Sequence, residues 1–248
     1  MFDRPNIMLY NIFITVLEEM MTENWLDRQN ALIGVESTEK LKNASVMIFG
    51  VGGVGSFASE AIVRAGVGRV IFVDGDTVSL TNINRQLIAD TTTVGQGKAE
   101  IMAKRAELIN PDCDAVYEQV FVDAMNCDML LDKYRPDFII DCIDTVSSKL
   151  LIIKWALKNG VKIISSMGTG NKLDPSKFQI TDIKKTSVCP LARVMRRELK
   201  NMGITSLPVL FSTEDPVRTG ERVPASISFV PSCAGLMMAG YAVREIIK

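Results

Sequence analysis

One stretch of about thirty residues constrains this chain more than any other. Val46-Met47-Ile48-Phe49 is an apolar run of strand length, and Gly50-Val51-Gly52-Gly53-Val54-Gly55 follows at once. Ser56 to Ala65 is helical in composition, with Phe57, Ala61 and Ile62 on one stripe, and Gly66 and Gly68 end it. Val70-Ile71-Phe72-Val73 is a second apolar run, closed by Asp74, which lies 19 residues beyond Gly55. Strand, glycine turn, helix, strand and terminal acid compose a nucleotide-binding βαβ unit. The first glycine permits the tight turn. The second lets the backbone approach a phosphate, and the third lets helix and strand pack closely. The helix N-terminus presents free N–H groups and a positive dipole end to the phosphate, and Asp74 is placed to accept from ribose hydroxyls. A bare GxGxxG is a weak signal; the strand before it, the helix after it and the acid at this distance make it a strong one for an adenine nucleotide.

The rest of the chain extends the same architecture. Asn24 to Gly34 reads as a helix with Trp25, Leu32 and Ile33 apolar, and Ser37 to Asn43 as a short helix leading into the first strand. Helices are expected over Ala99–Ile109, Asn126–Tyr134, Thr145–Asn159 and Pro190–Met202. Strands are expected over Ala115–Val122, Asp137–Asp141, Val161–Ser165, Phe178–Ile183, Ser206–Ser212 and Ser226–Val230, before an apolar helix over Ser232–Ile247. Strands alternating with helices predict an α/β fold: a Rossmann-like, doubly wound, mainly parallel sheet, with an antiparallel and helical C-terminal extension. The expected division is a nucleotide-binding core over 44–170 and a substrate-side extension over 171–248. Ligands of such sheets lie at the carboxyl ends of the strands, where Gly50–Gly55, Asp74, Asp144 and Ser165–Gly170 all fall.

Composition removes several chemistries. The chain has no histidine, which excludes histidine bases, triads and metal ligands. Its five cysteines form no CxxC pair, so neither a disulfide framework nor a zinc site is expected, and a reducing cytoplasm fits best. A net charge of -1 excludes a globally basic nucleic-acid binder but not a local basic patch. Ile7 to Leu17 is too short to span a bilayer, which needs about 20 residues, so no membrane partner is expected. Residues 1–20 read as a translation-start extension, with Met20 or Met21 as the alternative start. A nicotinamide dehydrogenase is disfavoured as well. It would need a proton-transfer group, and no tyrosine here has a lysine four residues on. A non-enzymatic nucleotide-binding regulator would have no use for the charges described next.

A pyrophosphate carries two charges, and a triphosphate needs more cationic help. Arg85, in Ser79-Leu80-Thr81-Asn82-Ile83-Asn84-Arg85-Gln86, and Lys98, at a helix start, follow the ribose acid. Arg85 offers a fork and Lys98 a point charge. Asp144 closes a strand, where it either holds Mg²⁺ through oxygen or caps the following helix. From Lys184 to Lys200 the chain carries Lys184, Lys185, Arg193, Arg196, Arg197 and Lys200 against Glu198, a net +5.

GVGGVG, VDGD, SLTNINRQ, GQGK and DCIDT, in that order, resemble the ATP-dependent adenylyltransferases related to ubiquitin-activating enzyme. The resemblance covers Trp25 to Gly170. It implies that ATP and Mg²⁺ activate a carboxylate as an acyl-adenylate and release pyrophosphate. It further implies that Gly50, Gly52, Gly53 and Gly55 form the phosphate turn and that Asp74 binds ribose. Asn82 or Asn84, with Arg85 and Lys98, would bind the triphosphate, and Asp144 the Mg²⁺. Arg28 resembles the arginine that these homodimers lend to the neighbouring subunit's ATP. The sulfur-carrier activators of the family usually hold zinc on two CxxC pairs, which this chain lacks. Activation of the C-terminal glycine of a ubiquitin-like sulfur carrier is therefore the second reading.

One branch, the tRNA threonylcarbamoyladenosine dehydratases, is similar in more places. It shares the NWLxR start, the PLARVMRREL helix, LFSTEDP (Leu210 to Pro216) and PSCAGL (Pro231 to Leu236), and it too lacks the zinc pairs. The resemblance implies adenylation of the threonylcarbamoyl carboxylate on a tRNA adenosine, then ring closure with loss of AMP. No catalytic thiol is required. It makes tRNA the partner of the basic segment and suggests a cysteine-desulfurase or sulfur-acceptor partner.

Overall fold

A computed structural model describes residues 23–221 and 223–248. The expectations for residues 1–20 and for Ile7 to Leu17 lie outside the described residues. In chain order the elements are α1 (Asp27–Ile33), α2 (Val35–Lys42), β1 (Ser45–Phe49), α3 (Gly55–Arg64), β2 (Arg69–Val73), α4 (Lys98–Ile109), β3 (Asp114–Glu118), α5 (Cys127–Tyr134), β4 (Phe138–Asp141), α6 (Val146–Lys158), β5 (Lys162–Ser166), β6 (Phe178–Asp182), α7 (Pro190–Asn201), β7 (Pro208–Ser212) and α8 (Phe229–Ile246).

The strands form one seven-stranded sheet in the order β3-β2-β1-β4-β5-β7-β6. Only the β6–β7 pairing is antiparallel. The chain lays down β1, β2 and β3 in one direction, then returns to set β4 against the other side of β1. The order reverses between β1 and β4, and a crevice opens there at the carboxyl ends. This is the doubly wound sheet that the alternating elements predict.

Alternation along the strands explains why helices cover both faces. Val46, Ile48, Val70, Phe72, Phe138 and Ile140 point one way and pack with Ile62 of α3, Met102 of α4 and Met238 of α8. Met47, Phe49, Ile71, Val73 and Ile139 point the other way, against Leu131 of α5, Ile152 of α6 and Met195 of α7. A sheet buried on both faces reads as continuous apolar runs, as β1, β2 and β4 do.

Three expected strands change. Ser226–Val230 is not a strand: α8 begins at Phe229. Pro231 is the third residue of that helix, within the first turn, where backbone N–H groups have no intrahelical acceptor and proline is tolerated. The expected Ala115–Val122 strand stops at Glu118, because its partner β2 stops at Val73. The last parallel strand starts at Pro208, opposite the end of β6 at Asp182, and not at Ser206. The first helix starts at Asp27 rather than Asn24; Trp25 before it and Leu32 within it stay exposed, and the buried anchor is Leu26, the residue just before α1. Gly66 faces that anchor: a methyl there would lie 3.1 Å from Leu26 Cδ1. Gln29 Nε2 donates to the Ala65 carbonyl at 2.9 Å. Among the described residues no helix is long and apolar enough to cross a membrane.

Candidate nucleotide site

The glycine turn leaves β1 at the switch point. Gly50 has a φ of +84°, a left-handed conformation suited to glycine, and its N–H donates to the Val73 carbonyl at 2.8 Å. A methyl on Gly55 would fall 1.7 Å from the Gly50 carbonyl oxygen, so this glycine lets α3 start directly against the turn. A methyl on Gly53 would meet Pro231 of α8 at 3.1 Å and Arg85 Cγ at 3.5 Å. Gly52 is open: nothing lies closer to its methyl position than Gln86 Nε2, at 3.8 Å. The backbone at Gly52 is therefore the part of the turn a phosphate can approach.

Asp74 stands beside this turn. Its Oδ2 accepts from the Val51 N–H at 2.6 Å, and its Oδ1 from the Asp76 N–H at 2.8 Å. Burial raises its carboxyl above the ordinary value, against the lowering pull of those amides and of Lys98. Lys98, at the start of α4, is 6% exposed, and its Nζ donates to Asp76 Oδ2 at 2.8 Å. Asp76 is itself half exposed, so the lysine is held at the rim of the crevice. Arg85 Nη1 donates to the Thr81 carbonyl and to Asn84 Oδ1, both at 2.9 Å. Among the described residues no carboxylate pairs with Arg85, and its charge stays uncompensated.

The two asparagines separate. Asn82 is buried, and its Oδ1 accepts from the Ser79 N–H at 3.1 Å, closing the turn before Arg85. Asn84 is exposed, and its Nδ2 donates to the Ser226 carbonyl at 3.0 Å, linking the crevice to the C-terminal segment. Asp144 is exposed at the far side of the crevice, after β4. It does not cap the next helix: Thr145 takes the N-cap position and no side chain accepts there.

Arg28 is not brought to this crevice. Its helix is pinned by Leu26 and Gln29 to the end of α3 near Ala65. The 10 residues of α3 put about 15 Å between that end and the glycine turn. The basic segment lies C-terminal to the glycine turn and β1–β5, in and before α7, and its six cations are not equivalent. Arg196 is half-buried and donates to the Thr186 carbonyl at 2.8 Å. Arg197 pairs with Glu198 at 2.7 Å. Lys184, Lys185, Arg193 and Lys200 are exposed and make no ion pair among the described residues.

Sequence reasoning passed over two features of the site. Gln86, beside Arg85, is buried under the glycine turn, and its Oε1 has no partner. Its place within SLTNINRQ was the available signal. The second is a buried ion pair, Asp141 with Lys149 at 2.9 Å, both fully buried. Nothing in the sequence marks it apart from eight residues of spacing across a strand end.

The profile of the ThiF family matches residues 26–248. The chain belongs to the ThiF family. Within it, the chain stands with the tRNA threonylcarbamoyladenosine dehydratases. It is 42% identical to the Bacillus subtilis (strain 168) protein of that name over 239 residues, 89% of this chain and 94% of that relative. The Escherichia coli (strain K12) dehydratase is 35% identical over 191 residues, 74% of this chain and 71% of the relative. The structure of the E. coli enzyme TcdA in complex with AMP superimposes with a TM-score of 0.84 at 31% identity, covering 88% of this chain and 92% of that one. Its complex with ATP gives 0.83 at 32% identity, covering 88% and 91%. A UBA4 adenylyltransferase and sulfurtransferase from Vanderwaltozyma polyspora, at 33% identity, covers 63% of this chain and 35% of its own length.

Proposed function

We propose that this ThiF family member is an ATP-dependent tRNA threonylcarbamoyladenosine dehydratase. The observation that carries the proposal is its 42% identity to the B. subtilis enzyme over 89% of this chain, on a fold whose switch point gathers Gly52, Asp74, Arg85 and Lys98. The open backbone at Gly52 and the N-terminus of α3 fit a phosphate, the half-buried Asp74 fits a ribose, and two cations fit the remaining phosphates. Mg²⁺ fits as well. Among the described residues no cluster of three or more metal-ligating side chains exists. An ion carried on a triphosphate needs only one or two protein carboxylates, and Asp144 is exposed for that role. When bound, the ion would neutralise charge on the phosphates.

The chain's own residues then divide the work. Glycine-turn amides, Arg85 and Lys98 hold the triphosphate, with Asn84 beside it and Asn82 bracing the turn. A threonylcarbamoyl carboxylate oxygen attacks the α-phosphorus, and the bond to pyrophosphate breaks. Arg85 and Lys98 stabilise the charge that builds on the leaving group. Attack on the activated carbonyl by an atom of the same side chain then closes a ring and expels AMP. One water's worth of atoms is lost from the nucleoside in total. No thiol takes part. Burial pushes the Cys142 thiol, beside the turn, well above its ordinary value.

Arg28 serves the site of a second protomer, so the enzyme acts as a homodimer. Lys184, Lys185, Arg193 and Lys200 hold the tRNA backbone, with Arg196 and Arg197 behind them. The setting is the cytoplasm, and a sulfur-acceptor protein is a further candidate partner. The deciding experiment incubates threonylcarbamoylated tRNA with the protein, ATP and Mg²⁺, and weighs the released nucleosides. Loss of about 18 Da, one water by the ring closure just described, with formation of AMP and pyrophosphate, is the expected result. An unchanged mass on an ATP-binding protein, with pyrophosphate exchange stimulated by a ubiquitin-like sulfur carrier, would transfer the activity to the second reading.

A further inference from the structure

The buried ion pair behind β4 acts on the peptide that carries Asp144. Asp141 is the last residue of β4 and Lys149 lies on α6; both side chains are fully buried. Two unit charges taken from water need strong mutual pairing and further hydrogen bonds to persist. Asp141 Oδ2 accepts from Lys149 Nζ at 2.9 Å and from the Ser165 hydroxyl at 2.6 Å. The remaining bonds go to one residue: the Ile143 N–H donates to Asp141 Oδ1 at 3.3 Å, and Lys149 Nζ donates to the Ile143 carbonyl at 2.8 Å. Both backbone polar groups of Ile143 are thus held by the pair, and its carbonyl belongs to the peptide bond that begins Asp144. The same residue meets the phosphate turn, since a methyl on Gly50 would lie 3.0 Å from Ile143 Cγ2.

We propose that Lys149 and Asp141 are positioning residues: they clamp Ile143 from both sides, and so fix where Asp144 meets the nucleotide. The inference rests on the role proposed above for Asp144. A hydrophobic pair of similar volume would serve stability at least as well. Stability alone therefore does not call for two charges at this place, and what the charges add over an apolar pair is the two bonds that hold Ile143.

Lys149→Met alone leaves a buried unpaired carboxylate and threatens the fold. The test therefore uses Asp141→Leu with Lys149→Met, which removes both charges and both bonds to Ile143 at similar volume, alongside Asp144→Asn and the triple variant. The first readout is amide hydrogen exchange at Ile143, whose N–H donates to Asp141, in the ligand-free protein. The clamp predicts at least tenfold faster exchange there in the double variant, with the core strands unchanged. The second readout is turnover. The double variant should be at least tenfold slower at saturating ATP and should need more Mg²⁺ for half-maximal rate. Its ATP affinity in EDTA should stay within twofold of the wild type. Because both changes act through Asp144, the triple variant should be no slower than the slower of its parents. Unchanged amide exchange overturns the clamp. So does faster exchange with wild-type turnover while Asp144→Asn is impaired, and so do losses that multiply in the triple variant. Wild-type turnover in Asp144→Asn refutes the role of Asp144 itself. That failure is read apart from the clamp, whose own failure is the amide result.

Discussion

Gly52 and Gly55 stand three residues apart in one turn, yet their replacement by alanine should fail in opposite ways. A methyl on Gly52 meets nothing nearer than Gln86 Nε2 at 3.8 Å, an ordinary contact, and Gly52 is not left-handed. Gly52→Ala therefore places no strain on the ligand-free fold. By stiffening the unfolded chain it favours the native state by about 0.4–1 kcal/mol. In a protein of this size 1 kcal/mol moves Tm by about 2–4 °C, so Tm should rise by about 1–4 °C on those scales. The same methyl occupies the place where backbone must approach a phosphate, and ATP affinity should fall at least tenfold, about 1.4 kcal/mol. On Gly55 the methyl lies 1.7 Å from the Gly50 oxygen and 2.8 Å from its carbon. Both are backbone atoms, and a relaxed carbon–oxygen contact is about 3.3 Å or more. The start of α3 must part from the end of β1. Overpacking costs about 1–3 kcal/mol, and a backbone clash belongs at the upper end, which lowers Tm by about 6–12 °C. Thermal unfolding with and without excess ATP reads both. Gly52→Ala should melt at or above the wild type and lose most of the ATP-induced shift; Gly55→Ala should melt far below. A wild-type ATP shift in Gly52→Ala refutes the phosphate placement, and a wild-type Tm in Gly55→Ala refutes the packing argument.

Lys98→Ala and Arg85→Ala each remove a preorganised charge donor. Each should slow pyrophosphate release by about a hundred- to a thousandfold, roughly 3–4 kcal/mol, with an unchanged far-UV spectrum; turnover within tenfold of the wild type would remove the residue from the site. Changing Lys184, Lys185, Arg193 and Lys200 together to Gln should weaken tRNA binding and reduce the slope of log affinity against log salt by about 3–4. An unchanged slope would locate the tRNA elsewhere. Glu60 joins α3 to α4 by accepting from Arg105 Nε at 2.7 Å and from Arg64 Nη2 at 2.8 Å. Burial alone would raise its carboxyl, but the arginine hydrogen bonds outweigh burial and hold it below the ordinary value. Its contribution is therefore complete above the unfolded carboxyl pKa of about 4.3 and is lost as pH falls through the depressed folded value. Glu60→Gln should lower stability at pH 7 and narrow its difference from the wild type in acid, as followed by urea unfolding. A difference that widens as pH falls would contradict this sign.

The legible parts of the sequence were the local ones. The first βαβ unit, the helix endings and the alternation of strands with helices depend on neighbours a few residues apart, and the structure holds them within one or two residues. Both errors in strand length, at Val122 and at Ser206, arise where a partner strand ends, which periodicity within one segment does not report. Ser226–Val230 misled because five residues are too few to separate an alternating strand from the first turn of a helix. The cations Arg85 and Lys98 were legible from type and position. Their inequality was not: Lys98 is balanced by Asp76 and Arg85 is not. The basic segment had the same fault, since counting six charges hid the two whose side chains bond within the fold. Asp141 and Lys149 escaped entirely, because a buried ion pair has the same sequence appearance as two surface charges.

The PSCAGL segment shows how a resemblance acquires a physical reason. As sequence it was only a string shared with one branch, far from the glycine turn. In the fold Pro231 packs against Gly53, and a methyl on Gly235 would lie 2.2 Å from the Val54 carbonyl oxygen. Ala234 and Met238 of the same helix enter the core beside Ala58 and Ile62 of α3. The N-terminal part of α8 therefore packs on the glycine turn, and small residues are required on both sides of that contact. Asn84 adds a second tie through the Ser226 carbonyl, just before α8. The segment between β7 and α8 is anchored at its other end as well, where Lys172 donates to the Glu214 carbonyl at 2.5 Å and Glu214 accepts from the Leu173 and Asp174 amides. LFSTEDP and PSCAGL are thus the two fixed ends of one connection that runs beside the crevice. Arg85 Nη1 donates to Asn84 Oδ1, and Asn84 Nδ2 to the Ser226 carbonyl, so this connection is joined to Arg85 through one side chain as well as to the glycine turn through the packing of α8.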